Sequence, residues 1–409
     1  MKTIAVLATL DTKGPEAEYV RAQIEALGGA AMLIDMGVVG EAGGRADVAR
    51  EAVAATGGGD LAAMLKNPTR QAASPVMVAG ATKILSERIA SGEVHAALGL
   101  GGTQGTSNCT AVMRALPYGF PKVMVSTVAS GDVSAFVGMR DITMMFSVGD
   151  ILGLNPLTRK ILANAAAAAW GMAQSPVALE PRASGKPVIG VTNLGVLTEG
   201  AMAALARINE RGYEAIVFHA VGSGGRAMEQ MMREGVIGAV FDYALGEIAD
   251  DLHGALRAGG PERLTVAAEL GLPQVLCPGG AEHIGLLLGE PNVVPERWRG
   301  HRHVFHNPVI LAPRLKPDEL AEVGREIGRR LAKVKGRAQM LFPLRGTSRY
   351  GIEGMPLHDP AGDRAFLEAL RESLPPTVEL IERDTHAEDP VFVREAVDRL
   401  IELIEGRGA

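Results

Sequence analysis

Short, unbroken apolar runs that end in glycines and hydroxyl residues constrain what this chain can fold into more than any other feature. The run Val94-His95-Ala96-Ala97-Leu98-Gly99-Leu100 leads into Gly101-Gly102-Thr103-Gln104-Gly105-Thr106-Ser107, and Ala215-Ile216-Val217-Phe218-His219-Ala220-Val221 leads into Gly222-Ser223-Gly224-Gly225-Arg226. Apolar runs without polar alternation read as strands covered on both faces, the hallmark of a parallel sheet layered with helices. A strand that turns through glycines into a helix leaves backbone N–H groups free at the helix's positive end, where an anion can sit.

Further runs of the same kind predict strands near Thr3–Thr9, Ala30–Asp35, Lys122–Ser126 and Thr143–Phe146, then Val188–Thr192, Ala239–Asp242, Gln274–Cys277, Gln339–Pro343 and Val378–Glu382. Amphipathic segments between them predict helices, with Pro15 and Pro75 each suited to a first turn. A chain of 409 residues exceeds what one core organises, and 47% hydrophobic content with 51 glycines and only 4% aromatics favours close helix-on-sheet packing. The expected fold is α/β, with two Rossmann-like domains whose mainly parallel sheets are covered by helices and a ligand cleft between them. Breakers accumulate over Ser175–Gly185, so the boundary is placed there, giving domains 1–182 and 183–409. Gly40–Asp60 and Gly289–Arg302 read as irregular stretches of the kind that form lids.

The charge balance, 41 basic against 47 acidic residues, is −6. With no basic stripe interleaved with aromatics, it argues against nucleic acid as a partner. Two distant cysteines, Cys109 and Cys277, fit a reducing, cytoplasmic setting. The N-terminal run reads as a buried strand and not a signal peptide, and no apolar stretch is long enough for a membrane span.

The candidate site residues cluster at predicted strand ends, where open α/β sheets bind ligands. Gly101, Gly102, Thr103, Gln104, Gly105 and Thr106 offer backbone donors and hydroxyls for a phosphate or carboxylate, and Gly222, Ser223, Gly224, Gly225 and Arg226 offer a second such set. Asp11, Thr12 and Lys13 follow the first strand, where an ammonium offsets phosphate charge; the alternative is a plain helix cap. Ser126 and Ser130 mark another strand end, and Asn193 occupies the place of Asp11 in the second half. His219, Asp242 and Glu247 are the catalytic candidates, with Asp242 also the candidate anchor for Mg²⁺. Cys277 with His283 would form a nucleophile pair, although a lone cysteine is more often a small core residue. Whether His301, His303 and His306 form a metal site is open, because alternation on a strand turns His306 away from the other two.

These motifs taken together resemble a known family along the whole chain. The residues that carry the likeness are Thr9-Leu10-Asp11-Thr12-Lys13-Gly14, Gly99-Leu100-Gly101-Gly102-Thr103-Gln104-Gly105-Thr106, Ser126-Thr127-Val128-Ala129-Ser130-Gly131-Asp132 and His219-Ala220-Val221-Gly222-Ser223-Gly224-Gly225-Arg226-Ala227-Met228-Glu229. The chain is similar to an ATP-binding family of mostly uncharacterised bacterial and fungal proteins that includes the N-terminal inhibitory domain of the tomato mosaic virus resistance protein. The resemblance implies two α/β domains, a homodimer and ATP binding, and supplies no established reaction for stand-alone members. In plant relatives a TIM-barrel domain follows, so a separate TIM-barrel protein is an expected partner.

Three functional readings follow. The first is a cytoplasmic ATP-dependent enzyme, using ATP with Mg²⁺ on a small anionic metabolite held between the domains. The second is a nucleotide-responsive binding or regulatory module without turnover. The third is a lyase, hydrolase or epimerase acting on a phosphorylated or carboxylated metabolite without ATP as co-substrate.

Overall fold

The computed structural model describes residues 1–41, 43–66, 69–177, 179 and 185–406. The chain divides into two compact units, Met1–Glu180 and Pro181–Ala409. The expected boundary at 182/183 lies outside the described residues.

In the N-terminal unit the order is β1 (Thr3–Ala8), α1 (Leu10–Ala26), β2 (Ala30–Asp35), α2 (Arg50–Thr56), α3 (Leu61–Lys66), α4 (Arg70–Ala90), β3 (Ala96–Gly101), α5 (Thr103–Arg114), β4 (Lys122–Ser126), α6 (Ser134–Val137), β5 (Thr143–Phe146) and α7 (Pro156–Ala173). The five strands form one parallel sheet in the order β2-β1-β3-β4-β5. The period of two along β1 splits its side chains between two cores. Ile4, Val6 and Ala8 pack with α1 and α7, while Ala5 and Leu7 pack with α2, α4 and α5. Alanines 165, 166 and 169 of α7 are fully buried, which lets that helix lie close on the sheet.

The C-terminal unit runs β6 (Ile189–Asn193), α8 (Thr198–Glu210), β7 (Ala215–His219), α9 (Ser223–Arg233), β8 (Ala239–Ala244), α10 (Gly246–His253), α11 (Val266–Leu270), β9 (Gln274–Gly279), β10 (Leu286–Leu287), β11 (His303–Asn307), β12 (Ile310–Pro313), α12 (Pro317–Leu331), β13 (Ala338–Pro343), α13 (Pro360–Ser373), β14 (Val378–Arg383) and α14 (Pro390–Ile404). Six strands form a parallel sheet in the order β14-β13-β9-β8-β6-β7, and β10, β12 and β11 form a small antiparallel sheet. Both large sheets reverse strand order once, between β1 and β3 and between β6 and β8. In such sheets the crevice at the reversal, outside the carboxyl ends of the two strands, is the place for a ligand.

The two-domain α/β architecture agrees with expectation; several local features do not. Pro15 and Pro75 sit inside α1 and α4, which begin earlier, at Leu10 and Arg70. In α1 the backbone leaves helical values at Lys13 (φ −127°, ψ 18°), two residues before Pro15, and this kink accommodates the proline. The stretch Gly40–Asp60, read as irregular, contains α2. No helix among the described residues is long and apolar enough to cross a membrane.

Candidate functional site

The crevice between β1 and β3 is a real cavity of about 560 Å³. Thr9, Asp11, Thr12 and Lys13 line it from the turn after β1, and Gly101, Gly102, Thr103, Gln104 and Gly105 line it from the turn after β3. At the start of α5 the N-cap is Gly102, which has no side chain to cap the helix. The first-turn N–H groups of Thr103, Gln104 and Gly105 therefore point out of the helix without an intrahelical partner. Gly101 is required by packing, since a Cβ there would stand 2.8 Å from Cα of Gly105. Gly102 is not; its nearest neighbour would be Thr127 Oγ1 at 3.8 Å.

Among the described residues Lys13 is the only cation on the wall of this cavity, and its Nζ donates to the carbonyl oxygen of Ile151. Asp11 is the only carboxylate among the described residues of that wall. Burial, and then repulsion from Asp35, push its carboxyl above the usual range against the pull of Thr12 and Arg50. Asp35 is itself buried, and its Oδ1 accepts from the N–H of Leu10 at 3.0 Å and of Gly37 at 2.8 Å. That carboxylate, 25 positions from Leu10, starts α1 and holds the Asp11 turn against the β2 edge. Met36, Val38, Val39, Ala73 and Met77 supply an apolar wall. Gln104 Nε2 donates to Ser74 Oγ at 3.1 Å and Asn108 Oδ1 at 3.0 Å, tying α5 to α4.

Three expected members of this site are placed elsewhere. Thr106 and Ser126 are fully buried and hydrogen-bond each other at 2.7 Å, so their hydroxyls close the turn from within. Ser130 is exposed and does not line the cavity. The sequence reading also passed over Thr9, Thr69, Ser74 and Asn108. The signal for Asn108 was available, since it lies four residues after Gln104 on one helix face.

The second glycine loop differs in kind. Glu247 Oε1 accepts from the N–H of Gly222 at 2.6 Å and of Gly225 at 3.1 Å, so the start of α9 already holds an anion, the protein's own. Its glycines serve packing. Gly222 has φ +86°, a Cβ on Gly224 would stand 1.9 Å from the His219 carbonyl oxygen, and one on Gly225 would stand 2.0 Å from Glu247 Oε2. The expected phosphate cradle at Gly222, Ser223, Gly224 and Gly225 is corrected accordingly. Arg226 is exposed, with Nε bonded to the Gly222 carbonyl oxygen. The two loops are also not equivalent in topology. The first follows β3, at the reversal, whereas the second follows β7, at the sheet edge.

Asp242 and Glu247 are likewise not available as a Mg²⁺ anchor or an acid–base pair. Arg263, fully buried, donates to Asp242 at 2.5 and 2.6 Å and to Glu247 Oε2 at 2.6 Å, and Thr192 Oγ1 donates to Asp242 at 2.7 Å. Glu229 completes the cluster, accepting from the N–H of Leu264 at 2.7 Å; burial pushes its carboxyl up to about 7 despite the pull of Arg263.

Among the described residues no group of three or more metal-binding side chains converges. His301 pairs with Glu319 at 3.0 Å, His303 bonds the His301 carbonyl oxygen, and His306 is exposed. Cys277 is fully buried in the core and burial pushes its thiol up, which removes it as a nucleophile.

A second cavity, of about 340 Å³, lies wholly in the C-terminal unit, at the turns after β6, β7, β9 and β13 and against β11 and β12. His219 lines it, with Nδ1 on the carbonyl oxygen of Asn193 at 3.3 Å; Asn193 itself does not line it, and its Oδ1 is buried without a partner among the described residues. His283 also lines it, with Nδ1 at 3.1 Å from Glu282 Oε1. Burial raises the Glu282 carboxyl, but the adjacent His283, Arg314 and the Ser348 hydroxyl outweigh it and bring it down to about 2. A carboxyl depressed in the folded state contributes stability above its ordinary value near 4.5 and loses it as pH falls towards 2, here about 3 kcal/mol. Glu282→Gln is therefore expected to lower stability by about that amount at pH 7, with the gap to wild type narrowing below pH 4.5 in urea titrations. A gap that stays constant with pH would contradict this.

Family models match both units: the N-terminal domain of an uncharacterised protein family (UPF0261) over residues 2–178 and its C-terminal domain over residues 186–404. The chain belongs to the UPF0261 family. A UPF0261 protein of Clostridium tetani is 38% identical over 406 residues, 99% of each chain. The ToMV resistance protein Tm-1(GCR237) of Solanum lycopersicum is 32% identical over 315 residues, 75% of this chain and 41% of the tomato protein. Among solved structures, the MurG of Acinetobacter baumannii aligns over 100% of this chain and 93% of its own at 13% identity, but a TM-score of 0.22 carries no argument. The resemblance drawn from the Thr9, Gly101, Ser126 and His219 segments thus leads to the right family, whose name assigns no activity.

Proposed function

We propose that the N-terminal cavity binds ATP with Mg²⁺, and that the chain is an ATP-dependent enzyme acting on a small anionic metabolite. The observation that carries the nucleotide part is the uncapped start of α5 at the strand-order reversal: three outward N–H groups, Lys13, and the hydroxyls of Thr9, Thr12 and Thr103 on one wall. The residues fit the group. A triphosphate brings more negative charge than one ammonium offsets, which calls for a divalent cation. Asp11, whose carboxyl burial and Asp35 push above the usual range, lines the same wall and is the carboxylate that would face it. The apolar wall of Met36, Val38 and Met77 suits the base. Asp11 thereby takes the role first given to Asp242.

In this reading the α5 N–H groups and Lys13 bind and orient the phosphates, and stabilise charge that develops on them. The Mg²⁺ would neutralise phosphate oxygens when bound. Thermal melts of the full chain test the proposal. ATP with Mg²⁺ at ~100 times its dissociation constant is expected to add about 2.7 kcal/mol of stability. ADP or phosphate release is then expected with some member of a panel of carboxylated and phosphorylated metabolites. A melting shift without turnover would replace the enzyme by the regulatory module; no shift would remove the nucleotide reading altogether.

A further inference from the structure

The cavity of the C-terminal unit is built to a different plan from the nucleotide pocket. Its polar wall consists of His219, His283, His306, Arg257, Arg349 and Tyr350, and no carboxylate among the described residues lines it. The balancing acids stand behind the wall and fix these groups. Asp250 holds Arg257 through Nε at 3.1 Å and Nη2 at 2.7 Å, and Glu388 holds Arg349 through Nε and Nη2 at 2.9 Å each. In both arginines Nη1 makes no hydrogen bond among the described residues, so each guanidinium is anchored on one edge and keeps a donor for a ligand.

His283 is held the same way. It is only 3% exposed, Glu282 takes its Nδ1, and Arg257 Nη2 donates to its carbonyl oxygen at 2.7 Å. The Glu282 carboxylate is in turn fixed by hydroxyl donors from Thr347, at 2.8 Å, and Ser348. An imidazole whose Nδ1–H is locked on a carboxylate presents Nε2 as the nitrogen that exchanges a proton. Tyr350 packs edge-on against this ring at 6.2 Å between centroids. The rest of the wall is apolar, from Leu194, Val196, Val221, Ile284, Ile310 and Ala312.

We propose that this cavity is a second ligand site that takes a small organic acid with a compact apolar body, its carboxylate on the Nη1 donors of Arg257 and Arg349, with His283 as the proton-exchanging group. Nε2 accepts a proton from an acidic X–H of the ligand, the bonding electron pair stays on the ligand, and the imidazole becomes a cation stabilised by Glu282. The imidazolium then gives a proton back to that ligand atom, which restores both the neutral imidazole and the X–H bond. The inference does not rest on nucleotide binding in the other unit.

Diethyl pyrocarbonate, which acylates accessible unprotonated imidazole nitrogens, tests it on the full chain with peptide mass spectrometry. His283 is expected to be acylated despite its burial. Isovalerate and benzoate at millimolar concentration should protect His283, His219 and His306 in a saturable way while leaving His95, in the other unit, as reactive as before. Isovaleramide, the uncharged analogue, should not protect. Arg349→Gln should raise the isovalerate concentration needed for half-protection about tenfold, and Arg371→Gln, an exposed arginine outside the cavity wall, should fold as wild type and leave that concentration unchanged. An unreactive His283, equal protection by acid and amide, or no protection by either acid would overturn the proposal.

Discussion

Arg263→Met is expected to remove about 3–5 kcal/mol from the C-terminal unit. The guanidinium is fully buried and joins Asp242, Glu247 and Glu229, none more than 3% exposed. Methionine fills much of the space, yet it leaves three carboxylates in a dry interior without a cation. Uncompensated burial raises carboxyl pKa values in the folded state, as Glu229 at about 7 already shows with the arginine present. An acid whose folded pKa is raised loses stability as pH rises from its unfolded value through its folded one. The penalty should therefore be greatest near pH 8 and shrink towards pH 5, as the folded carboxyls take up protons. Urea denaturation followed by Trp298, buried in the C-terminal unit, in a Trp170→Phe background reads this unit alone. A Met variant within about 1 kcal/mol of wild type at pH 8 would refute the view of this cluster as the unit's electrostatic centre.

Gly102→Asp is expected to lower ATP affinity about 100-fold while leaving the protein as stable as wild type or a few tenths of a kcal/mol more so. The position adopts φ −76° and ψ −162°, open to any residue, and a Cβ there meets nothing closer than 3.8 Å. An aspartate at this N-cap would accept from the first-turn N–H groups of α5 and place a charge where the proposal puts phosphate. The substitution builds into the first loop what Glu247 already does for the second. Isothermal titration with ATP and Mg²⁺ together with an apo melt checks both halves. Unchanged affinity would show that phosphate does not use this helix start, and a collapsed apo melt would show that Gly102 is a packing residue.

Strand positions were most legible where a strand is covered on both faces and its apolar run is unbroken, as in the fully buried Lys122–Ser126; Ala30–Asp35 also falls where its run predicts. Helix starts were less so. Pro15 and Pro75 looked like first-turn prolines, but α1 begins where distant Asp35 receives the N–H of Leu10, and α4 where Thr69 accepts from the N–H of Ala72. The two glycine loops look alike in sequence because both must turn a strand into a helix. What separates them is Glu247, which arrives 22 positions after Gly225 and fills one loop from inside. The role of Arg263 was hidden for the same reason, since it sits in a loop whose own sequence carries no periodicity. The C-terminal cavity draws its wall from the turns after four strands, β6, β7, β9 and β13, and from a small antiparallel sheet, and only His219, His283 and His306 stood out beforehand.

The central claim is that one glycine loop of the two is open to an outside anion. Hydrogen–deuterium exchange of the full chain, with and without ATP and Mg²⁺, tests this most directly. The account predicts protection of peptides covering residues 9–15 and 99–108 and no change in the peptide covering residues 219–228; protection of 219–228 with none at 99–108 would contradict it.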